Sequence, residues 1–117
     1  MNAPMISVGL FAVSALGGAF LAALRFRGKD LPMPVALIHG GVAASGLGTL
    51  GYAVAETGLG GTQALALAIL VVAALGGFVL FSFHLRKKPI PIPLMLIHAV
   101  VAVAGFATLC AHVFLGK

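Results

Sequence analysis

The sequence predicts an all-α integral membrane protein, a four-transmembrane-helix, up-down-up-down bundle built from a tandem duplication of a two-helix hairpin. Three observations predict it. The 117 residues are 62% hydrophobic and only 8% charged, and a small soluble domain cannot bury that much apolar surface. Four apolar runs of about 20 residues each have the length that a helix needs to cross ~30 Å of hydrocarbon. The two halves of the chain also repeat each other without a gap.

The four apolar runs belong to one transmembrane domain, residues 1–117, and cover residues 5–24, 35–55, 63–83 and 94–115. Lipid offers no hydrogen-bond partners to the backbone, so each run is predicted to be helical. Pro34 and Pro93 precede the second and fourth runs, and a proline at a helix start removes an N–H that would lack a partner anyway. A glycine-rich turn at residues 58–61 separates the two hairpins.

The duplication relates repeat 1, residues 5–55, to repeat 2, residues 63–115. Residues 11–54 and 70–113 are identical at 19 of 44 positions when offset by 59. Each repeat contains two spans, so both repeats enter the membrane in the same direction. The sequence therefore predicts parallel repeats related by a pseudo-two-fold axis along the membrane normal.

The distribution of charged residues predicts how the bundle is oriented in the membrane. Seven Lys and Arg residues against two acidic residues give a net charge of +5, and nearly all the cations lie in two inter-helix segments, residues 25–29 and 84–88. The positive-inside rule places these segments in the cytoplasm and both termini outside the cell's inner membrane. Anionic lipid headgroups explain the basic segments, so no nucleic-acid partner is expected.

His39 and His98 are the main candidates for function. Each lies five residues beyond a proline, at matching positions of the two repeats, and an ionisable group inside the hydrocarbon indicates a functional site. In an up-down-up-down bundle their helices lie diagonally across the core. Two neutral imidazoles at one depth could then be the axial ligands of a single haem b iron. The structural alternative is that each imidazole hydrogen-bonds a neighbouring helix and stabilises the bundle.

Small and basic residues near the histidines fit the same hypothesis. Glycines could leave room for a flat macrocycle, and the candidates are Gly17, Gly18, Gly46, Gly76, Gly77 and Gly105. Arg27 and Arg86, in the basic segments, could pair with haem propionates. Close helix packing in lipid and membrane topology explain these residues equally well.

Other chemistry is poorly supported. His112 matches Ala53 in repeat 1, so a second pair of ligands is not predicted, and His84 belongs to a basic segment. The spans contain no carboxylate, and no nucleophile–base set is present. We therefore expect an electron carrier or a binding subunit rather than an enzyme.

The leading hypothesis is a small b-type membrane cytochrome that exchanges electrons with a quinone or a partner protein. The alternative is a non-catalytic accessory or scaffold subunit of a larger membrane complex, in which the histidines are structural or bind a chlorophyll-type pigment. A homo-oligomer is compatible with either hypothesis.

Overall fold

The computed structural model describes residues 2–117, which form four α-helices joined by short turns. The helices are α1 (Ala3–Phe26), α2 (Met33–Thr57), α3 (Thr62–Leu85) and α4 (Ile92–Leu115). All four are long and apolar enough to cross a membrane. The predicted all-α four-helix bundle is confirmed, and the helices extend beyond the apolar runs by up to two residues at an end.

Capping groups explain where the helices begin. The Asn2 side-chain oxygen accepts a hydrogen bond from the N–H of Met5 at 3.1 Å, which satisfies a donor that has no partner within α1. Helices α2 and α4 have no side-chain cap, and they contain Pro34 and Pro93 in their first turn. These residues fix the backbone in a helical conformation without losing a hydrogen bond.

The two basic turns share one backbone geometry. Gly28 after α1 has φ +68°, and Lys87 after α3 has φ +56°. In each turn the next N–H, that of Lys29 or Lys88, donates at 2.9 Å to the carbonyl five residues earlier. This bond ends the helix in the manner of a Schellman motif. Lys87 adopts a left-handed conformation that glycine adopts without steric cost.

Helices α1 and α2 form hairpin 1, and α3 and α4 form hairpin 2. The hairpins contact each other through α2 with α3 and α1 with α4, so α2 and α4 lie diagonally across the bundle. Packing is more extensive within each hairpin than between the hairpins. The bundle measures 42 × 24 × 21 Å, and its length is close to the ~40–45 Å thickness of a bilayer with its headgroups.

The buried core is divided along the bundle axis. The turn-end cluster, near the turn between α2 and α3, consists of Phe11, Leu50, Val54, Ala66, Leu70 and Leu109. The basic-end cluster, near the two basic turns, consists of Leu80, Ile90 and Met95. Both histidines lie between these clusters along the helices, and we call this level the histidine layer.

Candidate functional site

The first histidine of this layer, His39, lies six residues after the start of α2 at Met33. Its Nδ1 is 2.7 Å from the backbone oxygen of Ser14 on α1. The Ser14 hydroxyl donates to the backbone oxygen of His39 at 3.0 Å, and its Oγ lies 3.1 Å from Nδ1. Ser14 is buried and His39 is half-buried. These bonds join α1 to α2 about 9 Å along α2 from its start.

His98 has the equivalent place in hairpin 2. Its Nδ1 is 2.8 Å from the backbone oxygen of Ala73 on α3. Both histidines reach a carbonyl 25 residues earlier in the chain, and Ser14 and Ala73 are themselves separated by the offset of 59. Ala73 has no hydroxyl, so hairpin 2 forms the ring-to-carbonyl bond without the additional serine bond of hairpin 1.

These hydrogen bonds assign the tautomer of both rings. A backbone oxygen can only accept a hydrogen bond, so Nδ1 of each neutral imidazole carries the proton and Nε2 carries a lone pair. No hydrogen bond within residues 2–117 involves either Nε2. Histidines that bind a metal commonly donate their other ring N–H to a carbonyl in this way. Each neutral ring therefore keeps one nitrogen, Nε2, whose lone pair could bind a metal ion.

The two rings meet across the bundle. Their centres are 6.4 Å apart and their planes are nearly perpendicular, at 86°. One ring comes from hairpin 1 and the other from hairpin 2, although α2 and α4 do not pack directly against each other. The structure therefore brings His39 and His98 together at one level of the membrane-spanning region.

The glycine pairs lie directly against the histidine rings. A Cβ atom at Gly18 would be 2.8 Å from Cε1 of His39, and a Cβ atom at Gly77 would be 3.2 Å from Cε1 of His98. Cβ atoms at Gly17 and Gly76 would lie 3.5 and 3.8 Å from the Cβ atoms of the same two histidines. These four glycines allow each imidazole to approach the backbone of the neighbouring helix. The immediate neighbour of each glycine pair is therefore the histidine ring, and a role beside a macrocycle stays a prediction.

Gly46 and Gly105 lie elsewhere, about 10 Å along the helices from the histidines. A Cβ atom at Gly46 would be 2.9 Å from Cζ of Phe11, and one at Gly105 would be 2.7 Å from Cγ of Leu70. The small size of these residues therefore accommodates side chains of the turn-end cluster. That Gly46 and Gly105 also leave room for a macrocycle stays a prediction.

The predicted arginines lie at the basic end and are exposed. The guanidinium of Arg86 lies 4.7 Å from the centre of the Phe83 ring, and its Nε donates to the backbone oxygen of Ser82 at 3.1 Å. Arg25 instead joins the hairpins, because its Nε donates to the backbone oxygen of Ile90 at 2.7 Å. Arg27 makes no side-chain hydrogen bond among the described residues and is open to a ligand or headgroup.

The remaining histidines are separate from the site. His84 stacks on Phe81, with ring centres 5.9 Å apart and an interplanar angle of 11°. His112 lies 14 residues after His98 on α4, about 21 Å along the helix.

Sequence reasoning missed Ser14 and Ala73 as partners of the histidines. Their spacing from the glycine pairs could have identified them. Each lies three residues before the first glycine of its pair and four residues before the second, so it shares a helix face with both. Their contribution comes from backbone oxygens, which residue identity does not reveal.

The set of possible metal ligands is small. Within residues 2–117, no three His, Cys, Asp or Glu side chains gather in one place. A metal held here would take two protein ligands and obtain the others from a non-protein group, as haem iron does from its macrocycle. No family model, curated protein or solved structure matches the chain, so function is inferred from the geometry of this site.

Proposed function

We propose that this protein is a small b-type membrane cytochrome that holds one haem b between His39 and His98 and carries single electrons. The observation that carries the proposal is the pair of imidazoles, one from each hairpin, whose ring centres lie 6.4 Å apart and whose Nδ1 atoms are each bonded to a carbonyl of the neighbouring helix. Bound haem would supply one-electron Fe(III)/Fe(II) chemistry. The protein would supply the two axial nitrogens and exclude water.

The separation of the rings agrees with this role. With metal–imidazole bonds of roughly 2.0 Å and about 1.1 Å from nitrogen to ring centre, two imidazoles on opposite sides of one metal have centres about 6.3 Å apart. The observed distance is 6.4 Å.

The packing of the bundle also suits a planar group between the hairpins. His39 belongs to one hairpin and His98 to the other, so a macrocycle ligated by both would lie in the hairpin–hairpin interface. That interface is the less extensive one, and the histidine layer separates two apolar clusters. The glycine pairs allow each imidazole to lie close to the backbone of its own hairpin, while the two rings still meet across the interface.

Positive charge at the basic end would complete the site. Arg27 and Arg86 each lie nine residues beyond Gly18 or Gly77, about 13 Å farther along the helix. We assign these guanidinium groups to the haem propionates, whose carboxylates pair well with arginine. The proposed orientation, with basic turns in the cytoplasm of the inner membrane, places the propionates at the cytoplasmic surface.

The proposal includes the internal duplication. The matched His–carbonyl bonds, the matched basic turns and the matched glycine pairs support two parallel repeats related by a pseudo-two-fold axis along the membrane normal. Such an axis would pass between the two imidazoles and make them equivalent ligands. Electrons would be exchanged with a membrane quinone or a partner protein.

A second candidate function is an accessory or scaffold subunit of a larger membrane complex. The bonds from His39 to Ser14 and from His98 to Ala73 join helices within each hairpin, which is what a purely structural histidine would do. In such a subunit the Nε2 atoms would have no ligand, or they would bind the metal of a chlorophyll-type pigment.

A visible spectrum of the purified protein, oxidised and then reduced with dithionite, tests the proposal. We expect the sharp bands of a low-spin haem in the wild type and their loss in His39→Ala and His98→Ala. His112→Ala is the matched control and should retain them, because it removes a histidine from the same helix outside the site. Circular dichroism of each variant separates loss of haem from loss of fold. A folded wild-type protein that stays colourless after expression with added haem would overturn the proposal in favour of the accessory subunit.

A further inference from the structure

The two imidazoles are held by different numbers of hydrogen-bond acceptors. Nδ1 of His39 has two acceptors, the Ser14 backbone oxygen at 2.7 Å and the Ser14 Oγ at 3.1 Å. The hydroxyl proton of Ser14 is donated to the backbone oxygen of His39, so Oγ acts as an acceptor toward Nδ1–H. Nδ1 of His98 has one acceptor, the Ala73 backbone oxygen at 2.8 Å. Rotation of the His98 ring therefore breaks one hydrogen bond, and rotation of the His39 ring breaks two.

The backbone beside each ring shows a difference in the same direction. A Cβ atom at Gly18 would be 2.8 Å from Cε1 of His39, whereas a Cβ atom at Gly77 would be 3.2 Å from Cε1 of His98. The His39 ring is therefore packed more closely on its neighbouring helix than the His98 ring. Closer packing leaves a side chain less room to change its rotamer.

A groove between α3 and α4 lies beside the His98 ring. It has a volume of about 270 Å³ and is lined by His98 and by apolar side chains of both helices. Val79 forms part of its wall, and the matching residue of hairpin 1 is Phe20, which has the bulkier side chain. The groove gives the His98 ring unfilled space into which it can turn.

From these three differences we propose that His39 is the fixed ligand of the site and His98 the exchangeable one, an inference that rests on the proposed haem. In the exchange, the bond from Nε2 of His98 to the metal breaks and a bond from an outside ligand to the same metal forms. The Nδ1 proton stays on the ring, and no electron is transferred. The incoming ligand is small and uncharged, because His98 lies among apolar side chains of membrane-spanning helices, where a charge is costly.

The test uses carbon monoxide, which is small and uncharged and binds ferrous haem. Haem-loaded proteins in phospholipid nanodiscs are reduced with dithionite and mixed with carbon monoxide, and the haem band is followed by stopped flow. At saturating carbon monoxide, the rate of binding equals the rate at which the exchangeable histidine leaves the metal.

The comparison is between Ala73→Ser and Ala68→Ser. We expect Ala73→Ser to lower the rate about fivefold, because the new hydroxyl gives Nδ1 of His98 a second acceptor and one hydrogen bond is worth about 1 kcal/mol. Ala68→Ser adds the same hydroxyl at an exposed position of α3, five residues away from Ala73, and should match the wild type. An unchanged rate in Ala73→Ser, or a haem protein that binds no carbon monoxide, would overturn the assignment of His98 and leave the cytochrome standing.

A second measurement does not depend on haem. In haem-free protein labelled with ¹⁵N-histidine, nuclear magnetic resonance gives an order parameter for each ring, with signals assigned from His39→Gln and His98→Gln. We expect the order parameter of the His98 ring to be the lower of the two. Equal values, or a lower value for His39, would overturn the proposal. The expected difference in a protein that never binds haem would refute the cytochrome and the ligand exchange with it.

Discussion

Replacing Gly18 by alanine tests the geometry of the histidine layer without assuming any cofactor. The added Cβ would lie 2.8 Å from Cε1 and 3.4 Å from Nδ1 of His39. Carbon atoms in contact are ordinarily about 3.5–4.0 Å apart, so the ring must retreat by about 0.7 Å. Such a shift would take the 2.7 Å bond from Nδ1 to the Ser14 oxygen past the ~3.2 Å limit of a good hydrogen bond.

Three contributions set the expected magnitude. Overpacking costs about 1–3 kcal/mol, and the weakened hydrogen bond costs about 1 kcal/mol. Alanine restores about 1 kcal/mol of helix propensity relative to glycine. We therefore expect Gly18→Ala to lower the free energy of unfolding by about 1–3 kcal/mol.

Alanine substitutions at two other glycines provide reference values for this loss in the free energy of unfolding. A Cβ at Gly77 would be 3.2 Å from Cε1 of His98, so that ring needs to move only about 0.3 Å, and Gly77→Ala should be close to neutral. Gly40 has no atom within 4 Å of an added Cβ, so Gly40→Ala should be neutral or stabilising by up to about 1 kcal/mol.

The assay is unfolding in mixed detergent micelles by titration with sodium dodecyl sulfate, followed by circular dichroism. The expected order of stability is Gly40→Ala, then Gly77→Ala, then Gly18→Ala. If Gly18→Ala is as stable as Gly40→Ala, the His39 ring does not pack on Gly18, and the described histidine layer is wrong.

Three further predictions concern topology, a turn and the core. In a cysteine-free background, single cysteines at Gly28 and Gly60 should be labelled from opposite sides of the membrane, with Gly28 cytoplasmic; labelling of Gly28 from outside would reverse the proposed orientation. Lys87→Gly should raise the free energy of unfolding by about 0.5–1 kcal/mol, because glycine relieves the positive φ of this turn, and unchanged stability would contradict that conformation. Leu109→Ala should cost about 2 kcal/mol or more, since Leu109 is fully buried and the substitution leaves a cavity. Leu75→Ala, at a lipid-facing position, should cost little in the same unfolding assay, and equal costs would argue against the turn-end cluster.

The sequence predicted the helices because their signals are local. Length and hydropathy are sufficient to locate a span, and Pro34 and Pro93 mark starts that the structure shows within two residues. The placement of α2 and α4 on a diagonal followed from short connections, which allow only antiparallel neighbours. These features required no knowledge of how any helix is rotated about its axis.

The details of the site depend on that rotation and on the distance between helices. In lipid, both faces of a helix are apolar, so hydropathy does not indicate which side of α1 meets His39. The hydrogen bond to the Ser14 carbonyl and the packing of Phe11 on Gly46 therefore emerged only from the three-dimensional arrangement. The duplication predicted that the two histidines share one level, but not which nitrogen each ring leaves free.

The one chemical difference between the two His–carbonyl pairs offers a direct test of the duplication. The Ser14 hydroxyl donates to the backbone oxygen of His39 at 3.0 Å, whereas Ala73 beside His98 has no such group. Ser14→Ala should therefore cost about 1 kcal/mol, the usual net value of a hydrogen bond. If the two hairpins superimpose, Ala73→Ser should recover a similar amount by forming the equivalent bond to His98.

Opposite changes of similar size in the sodium dodecyl sulfate titration would support a common backbone arrangement at both histidines. A loss of more than about 1 kcal/mol in Ala73→Ser would mean that the hydroxyl is buried without a partner. The two halves of the site would then differ in geometry, and the proposed two-fold axis would not relate the surroundings of His39 to those of His98. The double variant, Ser14→Ala with Ala73→Ser, exchanges the two environments. It should keep the wild-type stability, because the hydroxyl then moves from one half of the site to the other.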